Sequence, residues 1–464
     1  HDKAGNSTMA LIGNVNIDKT GPTGVAGSPA RGPDHNGWYN APVLVTFTGT
    51  DTLSGIASCT STSYSTPDGT GVTVPGSCAD NAGNVTNGSP VSFNYDSSAP
   101  KTPIPTKTPA ANSAGWNKTN VTVSFAADGD NGPSGVSSCS DDVLLTTETT
   151  VTGINVTGTC TDNAGNVSDG TTINVKIDKT APTSIVGTPA RPADHNGWYN
   201  APVGVTFSGN DALSGVASCT STTFSGPDTT GVAVNGSCTD TAGNVGYGSF
   251  SIKYDVTAPS VILGGVEQGK IYSLGALPAT GCTTADETSG VATSAVLSII
   301  GGVPPGVGQF TATCSGAADQ AGNAASNVVV SYTVQFAGPN VVCNGAPGQQ
   351  VLQPINLTGS SVFPKKGGST VPVKFRVCGV DGVSVGPTAV VQNFQLTQVL
   401  NGTASEVNET AIEATNSDTA FRWSASDAQW IFNLSTKNLN AGRTYVYLIT
   451  LNGGSTIEFR FALK

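Results

Sequence analysis

Apolar and polar residues alternate along many short stretches of this chain, as they do in strands with one buried face. In residues 43–49, for example, Val43, Val45 and Phe47 fall on the same face. Turn-forming Gly, Pro, Asn and Asp separate such stretches at intervals of about ten residues. Apolar residues keep a helical spacing for no more than about two turns. The pattern therefore predicts an all-β chain built from sandwiches of short strands.

One phrase, Asp-x-Ala-Gly-Asn, returns five times. The steps between its aspartates are 78, 82, 78 and 79 residues. A fixed period indicates a modular array, and a period near 80 fits one small domain better than one turn of a solenoid. The five copies lie at 2–6, 80–84, 162–166, 240–244 and 319–323.

The phrase predicts the domain boundaries. Residues 194–202 are identical to residues 34–42, which indicates duplication of a two-module unit. After about residue 338 the phrase no longer occurs and the composition changes. We expect residues 1–18 to be the last strand of a preceding module whose body is missing through trimming. The other expected segments are module 1 (19–96), module 2 (97–178), module 3 (179–255), module 4 (256–336) and a C-terminal β-sandwich domain (337–464).

Composition narrows the class of protein. Charged residues make up only 11% of the 464, and the formal net charge is −11. This acidity argues against a nucleic-acid partner, which requires a basic surface. No apolar run approaches the length of about 20 residues that a membrane-spanning helix needs.

The ten cysteines fall two to a segment, which predicts one local disulfide in each. Zinc binding would call for clustered cysteines or nearby histidines, and neither occurs. Disulfides imply export to an oxidising space. In module 4 the first cysteine precedes the acidic turn, so its bridge must join different strand positions. The expected pairs are Cys59/Cys78, Cys139/Cys160, Cys219/Cys238, Cys282/Cys314 and Cys343/Cys378.

Modules 1–4 resemble the bacterial immunoglobulin-like repeats of large secreted and surface proteins. The likeness rests on Gly-Trp-Tyr-Asn at 37–40 and 197–200, on Asp-x-x-Ser-Gly at 51–55 and 211–215, and on the repeated phrase. It implies a tandem array of immunoglobulin-like β-sandwich modules, each here with one disulfide. The stretch 371–375, Trp423 and Trp430 resemble a C-terminal domain family named for its Pro-x-Lys-Phe signature, also expected to be a β-sandwich.

Catalytic chemistry is poorly represented. The histidines are His1, His35 and His195, and the last two lie in equivalent turns of different modules. Residues 382–386 match the Gly-x-Ser-x-Gly pattern of a nucleophile elbow, but Pro387 blocks the helix that should follow, so a β-turn is favoured. Trp38, Trp116 and Trp198 precede strands, which suits packing better than sugar stacking. We expect no catalytic residues and no enzymatic activity.

Three aspartates are expected to converge at one end of each module. One lies in the entry linker, one follows the second strand, and one begins the repeated phrase. Two interpretations stay open: each aspartate caps its own turn through the backbone, or the three carboxylates hold calcium, the only cofactor that the sequence suggests. The residues concerned are Asp18, Asp51 and Asp80; Asp96, Asp130 and Asp162; Asp178, Asp211 and Asp240; and Asp255, Asp286 and Asp319.

These observations predict a non-catalytic extracellular structural protein, an elongated stalk or a fibre-forming, adhesin-type surface component of a prokaryote. Its expected partners are further copies of itself, in a fibre or surface array, or glycans of the cell surface or matrix. Two alternatives remain: the accessory non-catalytic tail of a larger secreted enzyme, and a carbohydrate- or surface-binding module.

Overall fold

The computed structural model describes residues 2–9, 11–366, 369–401, 404–406 and 420–464, the side chains of 404–406 excepted. Within these ranges the chain forms strands, turns and bends, without a helix. No helix there is long and apolar enough to cross a membrane. The prediction of an all-β array of disulfide-bonded sandwiches is confirmed.

The described chain divides into two compact units. Unit 1 comprises residues 1–188, 206–222 and 235–250, and unit 2 comprises residues 189–205, 223–234 and 251–464. The division passes through module 3, whose residues belong partly to each unit. Unit 1 contains modules 1 and 2, and unit 2 contains module 4 and the C-terminal domain. The predicted module boundaries stay a prediction.

Module 1 has three small sheets, with strand orders β1-β3-β5, β2-β9-β6 and β4-β7-β8. The alternation predicted for residues 43–49 is present in β3, where Val43 and Val45 are fully buried. They pack with Val74 and Tyr95 of the facing strands. The strands are β1 (Thr23–Pro29), β2 (Trp38–Tyr39), β3 (Val43–Thr50), β4 (Ile56–Cys59), β5 (Ser61–Tyr64), β6 (Gly69–Val74), β7 (Ser77–Asp80), β8 (Val85–Asn87) and β9 (Val91–Tyr95).

Module 2 repeats this plan with sheets β10-β12-β14, β11-β17-β15 and β13-β16. Its core is a small cluster around Val121, Val123, Phe125 and Ile177. The strands are β10 (Ile104–Thr108), β11 (Trp116–Asn117), β12 (Val121–Ala126), β13 (Val136–Cys139), β14 (Val143–Leu145), β15 (Ile154–Gly158), β16 (Cys160–Asp162) and β17 (Thr171–Ile177).

Module 3 keeps two features of modules 1 and 2. In unit 1, Cys219 lies opposite Cys238 on antiparallel strands, and in unit 2, Trp198 pairs in parallel with Lys253 near the end of the last strand. The strands are β18 (Thr183–Pro189), β19 (Trp198–Tyr199), β20 (Val203–Asn210), β21 (Val216–Cys219), β22 (Ser221–Phe224), β23 (Thr229–Asp240) and β24 (Val245–Tyr254).

Module 4 has sheets β25-β27, β26-β32-β30-β29 and β28-β31. Its buried Val307 and Tyr332 belong to the same hydrophobic cluster as residues of the C-terminal domain. The strands are β25 (Ser260–Gly264), β26 (Ile271–Ser273), β27 (Gly281–Ala285), β28 (Val291–Thr293), β29 (Val296–Val303), β30 (Val307–Ser315), β31 (Ala318–Asp319) and β32 (Val328–Gln335).

The C-terminal domain has a four-stranded sheet, β35-β37-β41-β40, and a five-stranded sheet, β36-β43-β42-β38-β39, beside the hairpin β33-β34. Phe432 of the first sheet contacts Phe394 of the second, so the two sheets enclose one core. The strands are β33 (Val342–Cys343), β34 (Ala346–Pro347), β35 (Val351–Leu352), β36 (Val362–Phe363), β37 (Thr370–Phe375), β38 (Val391–Asn401), β39 (Ala404–Glu406), β40 (Arg422–Ser424), β41 (Gln429–Ser435), β42 (Thr444–Leu451) and β43 (Thr456–Leu463).

All five predicted disulfides are present. In modules 1 to 3 the bridge joins directly opposed residues of two antiparallel strands, such as Cys59 and Cys78. In module 4, Cys282 lies on β27 and Cys314 on β30, which belong to different sheets. The expectation that this bridge links different strand positions is therefore confirmed.

The prediction for residues 1–18 is wrong in one respect. Residues 2–6 form the expected turn, in which the backbone N–H groups of Ala4 and Asn6 donate to Asp2. The described residues that follow, 7–9 and 11–18, form no strand. A strand requires a hydrogen-bonded neighbour, and here the apolar side chains of Leu11 and Val15 are exposed instead of covered by a sheet.

Candidate metal centres at the module junctions

Four clusters of three aspartates occur among the described residues. In each cluster the three residues offer carboxylate oxygens that lie within 4.8 Å of one another. The structure thus brings together the residues that sequence analysis grouped. Cluster 1 is Asp18, Asp51 and Asp80; cluster 2 is Asp96, Asp130 and Asp162; cluster 3 is Asp178, Asp211 and Asp240; and cluster 4 is Asp255, Asp286 and Asp319.

Strand pairing explains why the aspartates converge. In module 1, Asp51 follows β3 and its loop leads into β4, whose first residue, Ile56, pairs with Asp80 at the end of β7. The same pairing joins Val136 to Asp162 in module 2. The register of one short antiparallel pair therefore places two loops side by side.

The third aspartate of each cluster comes from the linker before the module. Asp96, for example, directly follows the last strand of module 1. Its Oδ1 accepts a hydrogen bond from the backbone N–H of Ser98 at 3.0 Å, and its Oδ2 accepts one from the N–H of Ser134 at 2.9 Å. Because Ser134 lies in a loop of module 2, this carboxylate joins the linker to the module that follows. Ser54, Ser214 and Ser289 make the corresponding bond in the other clusters.

The loop aspartates cap their own turns. The Oδ1 of Asp51 accepts the backbone N–H groups of Leu53, Ser54 and Gly55. Asp211 and Asp286 likewise accept the N–H of the glycine four residues later. At this position each of the three aspartates therefore caps its own turn. Within the described chain the Oδ2 of Asp51 accepts no hydrogen bond, so it is free to meet a further ligand.

The repeated phrase makes a turn in which several letters have a defined task. In module 2 the Oδ1 of Asp162 accepts the N–H of Asn166, and Gly165 adopts a φ of 89°, a conformation that favours glycine. The side-chain amide of Asn166 donates both to Asp162 Oδ2 at 2.8 Å and to the Asp96 carbonyl at 2.9 Å. This asparagine therefore ties the phrase to the linker. Asn84, Asn244 and Asn323 do the same.

Two of the three aspartates are buried in clusters 2 to 4, and one is buried in cluster 1. Asp96, Asp178 and Asp255 are completely buried, and Asp162 is 2% exposed. Burial raises the pKa of Asp96 above its ordinary value, because the charged form loses hydration. In cluster 1, hydrogen bonding from Ser54 lowers the pKa of Asp18. Buried carboxylates at this spacing repel one another unless a proton or a cation intervenes.

The donor set of each cluster suits a hard cation. Calcium binds six to eight oxygen ligands, chiefly carboxylates and carbonyls. Each cluster offers three carboxylates. In cluster 1, the Oδ2 of Asp51 accepts no hydrogen bond from the described chain and can therefore bind a cation. A bound divalent cation would supply the positive charge that offsets the buried carboxylates. The residues present therefore fit such an ion, and the calcium assignment stays a prediction.

The other singled-out residues lie away from the clusters. His35 and His195 are exposed on turns of modules 1 and 3, and His1 is outside the described residues. Ser384 is buried, and its backbone pairs with Cys378 in an isolated antiparallel β-bridge. Trp116 and Trp198 are buried as expected for packing, and their rings lie under Lys176 and Lys253. The side chain of Trp38 is half-buried.

Sequence analysis missed the serine and asparagine donors of each cluster. The signal was available, because Ser-Gly follows every loop aspartate and the phrase always ends in asparagine. Both residue types were assigned to turns, where they are common. Their second hydrogen-bond partner lies on another segment, which no local pattern reveals.

No family model matches this chain, and no curated protein does. Similar solved structures include the extracellular cadherin domains 3–6 of protocadherin gamma B2, with 14% identity over 67% of this chain and 83% of that one, at a TM-score of 0.22. Sidekick-1 immunoglobulin domains 1–5 match at 9% identity over 95% and 98% of the two chains, with a TM-score of 0.18. Domains 4–9 of the surface layer protein SbsC match at 8% over 96% and 82%, with a TM-score of 0.20. At these scores none of the three bears on what this chain does.

Proposed function

We propose that this chain is a non-catalytic structural component of an extracellular or cell-surface assembly, a stalk or fibre of immunoglobulin-like modules joined through aspartate clusters that hold calcium. The observation that carries the proposal is the fourfold repetition of one cluster at one place, where a linker meets the module after it. A repeated architectural element of this kind serves to position modules.

The disulfides support the extracellular part of the proposal. Every cysteine is paired with a partner in its own segment, and none is free. Disulfides of this structural kind persist in oxidising compartments and are rare where thiols are kept reduced. They also compensate for small cores: the fully or nearly buried apolar cluster of module 2 consists of six residues.

The linker contacts support the calcium part. Asp96 and Asn166 connect the linker to two loops of module 2 through direct hydrogen bonds. A cation bound by the three carboxylates would join the same three segments. It would therefore act on the junction between modules as well as on the fold of the second module.

Surface labelling of intact cells of the source organism tests the location. Antibodies raised against residues 337–464 are expected to label unpermeabilised cells or an extracellular fibre fraction. Labelling that appears only after permeabilisation contradicts the proposal. A glycan array probed with the purified chain separates the two expected partners: a saturable signal identifies glycans, and its absence leaves further copies of the chain.

A further inference from the structure

A turn of the same shape follows the first strand of modules 1, 2 and 3. In modules 1 and 3 it is the Asp-His-Asn-Gly-Trp turn, in which the N–H of Asp34 or Asp194 donates to the tryptophan carbonyl. Module 2 has the corresponding turn at Asn112, whose N–H donates to the carbonyl of Trp116. We call these segments the leading turns. Each comprises the turn itself (34–38, 112–116 or 194–198) and the two residues that follow it.

Each leading turn contacts the repeated phrase of the next module. The ring of His35 lies against Gly165: a Cβ on that glycine would come within 2.1 Å of the His35 Cδ2. The ring of His195 lies against Gly322 in the same way, again at 2.1 Å. Both glycines have a φ near +90°, so the ring covers a backbone segment without a side chain.

Hydrogen bonds reinforce the contact at two of the three junctions. The side-chain amide of Asn196 donates to Gln320 Oε1 at 2.8 Å, and that of Asn200 donates to the Ala321 carbonyl at 3.0 Å. At the junction of modules 2 and 3, Asn112 donates to the Thr241 carbonyl at 2.8 Å and Lys118 to the Gly243 carbonyl at 3.2 Å. Different side chains thus satisfy the same stretch of backbone.

Burial of the phrase alanine gives independent support. Ala164 and Ala321 are completely buried, and Ala242 is 4% exposed. In module 1, which follows no leading turn in this chain, Ala82 is exposed and Gly83 has no atom within 4 Å of its Cβ position. The same sequence is therefore covered where a leading turn reaches it and open where none does.

We infer that each leading turn is a docking element for the phrase turn of the next module. Every junction is then held at two separate points, one at the aspartate cluster and one at the leading turn. The second contact uses van der Waals packing on glycine and hydrogen bonds to carbonyls. Because it involves no carboxylate of the cluster, it acts without a metal ion and does not rest on the proposed function.

The test is hydrogen-exchange mass spectrometry on the full chain in EDTA, following the amides of residues 163–166. The variants are Gly165→Ala, which forces the His35 ring away, and Gly83→Ala, its matched control. Both glycines have nearly the same left-handed φ, 89° and 90°, so both substitutions carry the same backbone strain. His35→Ala removes the ring from an exposed position, where loss of folding is not expected.

Undocking should increase exchange at residues 163–166 about three- to tenfold in His35→Ala, as expected when the van der Waals contacts of one ring with the Gly165 segment are lost. Gly165→Ala should increase exchange in its own turn at least threefold more than Gly83→Ala does in residues 81–84. The inference is overturned if the two alanine variants respond equally and His35→Ala leaves residues 163–166 unchanged.

Discussion

Asn166 offers the sharpest test of how the junction of modules 1 and 2 is built. Its side-chain amide donates to Asp162 Oδ2 and to the carbonyl of Asp96 in the linker. Asn166→Ala removes both bonds and a longer one to the Ser98 carbonyl at 3.4 Å, while the backbone N–H of residue 166 can still donate to Asp162 Oδ1. The substitution therefore separates the phrase from the linker without deleting a carboxylate.

The expected cost follows from the two partners. A hydrogen bond to a charged group contributes about 1.5–3 kcal/mol, and one to a neutral carbonyl about 1 kcal/mol. Since Asn166 is half-buried, we expect a loss of about 2–3 kcal/mol in local stability of module 2. At about 1.4 kcal/mol per factor of ten, this corresponds to a roughly 30- to 150-fold fall in amide protection.

Hydrogen-exchange mass spectrometry is the appropriate assay, because it follows each module through its own peptides, whereas a multi-module chain does not unfold in two states. Asn6→Ala is the matched control. Asn6 ends the first copy of the phrase and donates to Asp2 Oδ2 at 3.1 Å, but it is exposed. Its substitution should change protection less than about threefold. Equal effects of the two substitutions, or no effect of Asn166→Ala on residues 160–168, would show that Asn166 does not hold the phrase to the linker.

Three further predictions concern the disulfide of module 4, the close contact between Gly132 and Asp96, and the titration of the linker aspartates. Replacing Cys282 and Cys314 with serine opens a bridge that spans 32 residues and should cost module 4 about 3–4 kcal/mol, measured by exchange of residues 281–315. Gly132→Ala would place a Cβ 1.9 Å from Asp96 Oδ1 and should destabilise module 2 by about 1–3 kcal/mol. Gly32→Ala is the control, because its Cβ would have no atom within 4 Å, and it should have little effect. Equal shifts in melting temperature would contradict this prediction. Hydrogen bonding from Ser54 lowers the pKa of Asp18, so in the metal-free chain module 1 should lose stability as pH falls below about 4. Burial raises the pKa of Asp96, so module 2 should instead lose stability as pH rises above 3.8. Stability profiles that change with pH in the same direction in both modules would contradict these two pKa directions.

The sequence predicted what depends on local pattern. The period-two alternation at Val43, Val45 and Phe47 gave the buried face of β3. One pair of cysteines per segment gave the disulfides, because near neighbours in a small module have few other partners. The convergence of Asp96, Asp130 and Asp162 could be predicted because the linker and the two loops that carry them lie at the same end of a sandwich.

The sequence did not predict what depends on contacts between segments. Residues such as Leu11 and Val15 have the composition of a strand, yet no strand of the described chain pairs with them. The role of Asn166 depends on a linker carbonyl 70 residues away. The contact between His35 and Gly165 joins two turns that each look complete in isolation. Such partners depend on how neighbouring modules pack, so the sequence pattern of a single module does not predict them.

Calcium titration of the full chain by isothermal calorimetry shows whether the aspartate clusters are calcium sites. We expect four sites, one for each cluster, and a rise in melting temperature on binding. The triple substitution of Asp178, Asp211 and Asp240 with asparagine should leave three sites and keep the Cys219–Cys238 bridge intact. An absence of binding heat together with an unchanged melting temperature would contradict the claim, and the aspartates would then serve only as caps of their turns.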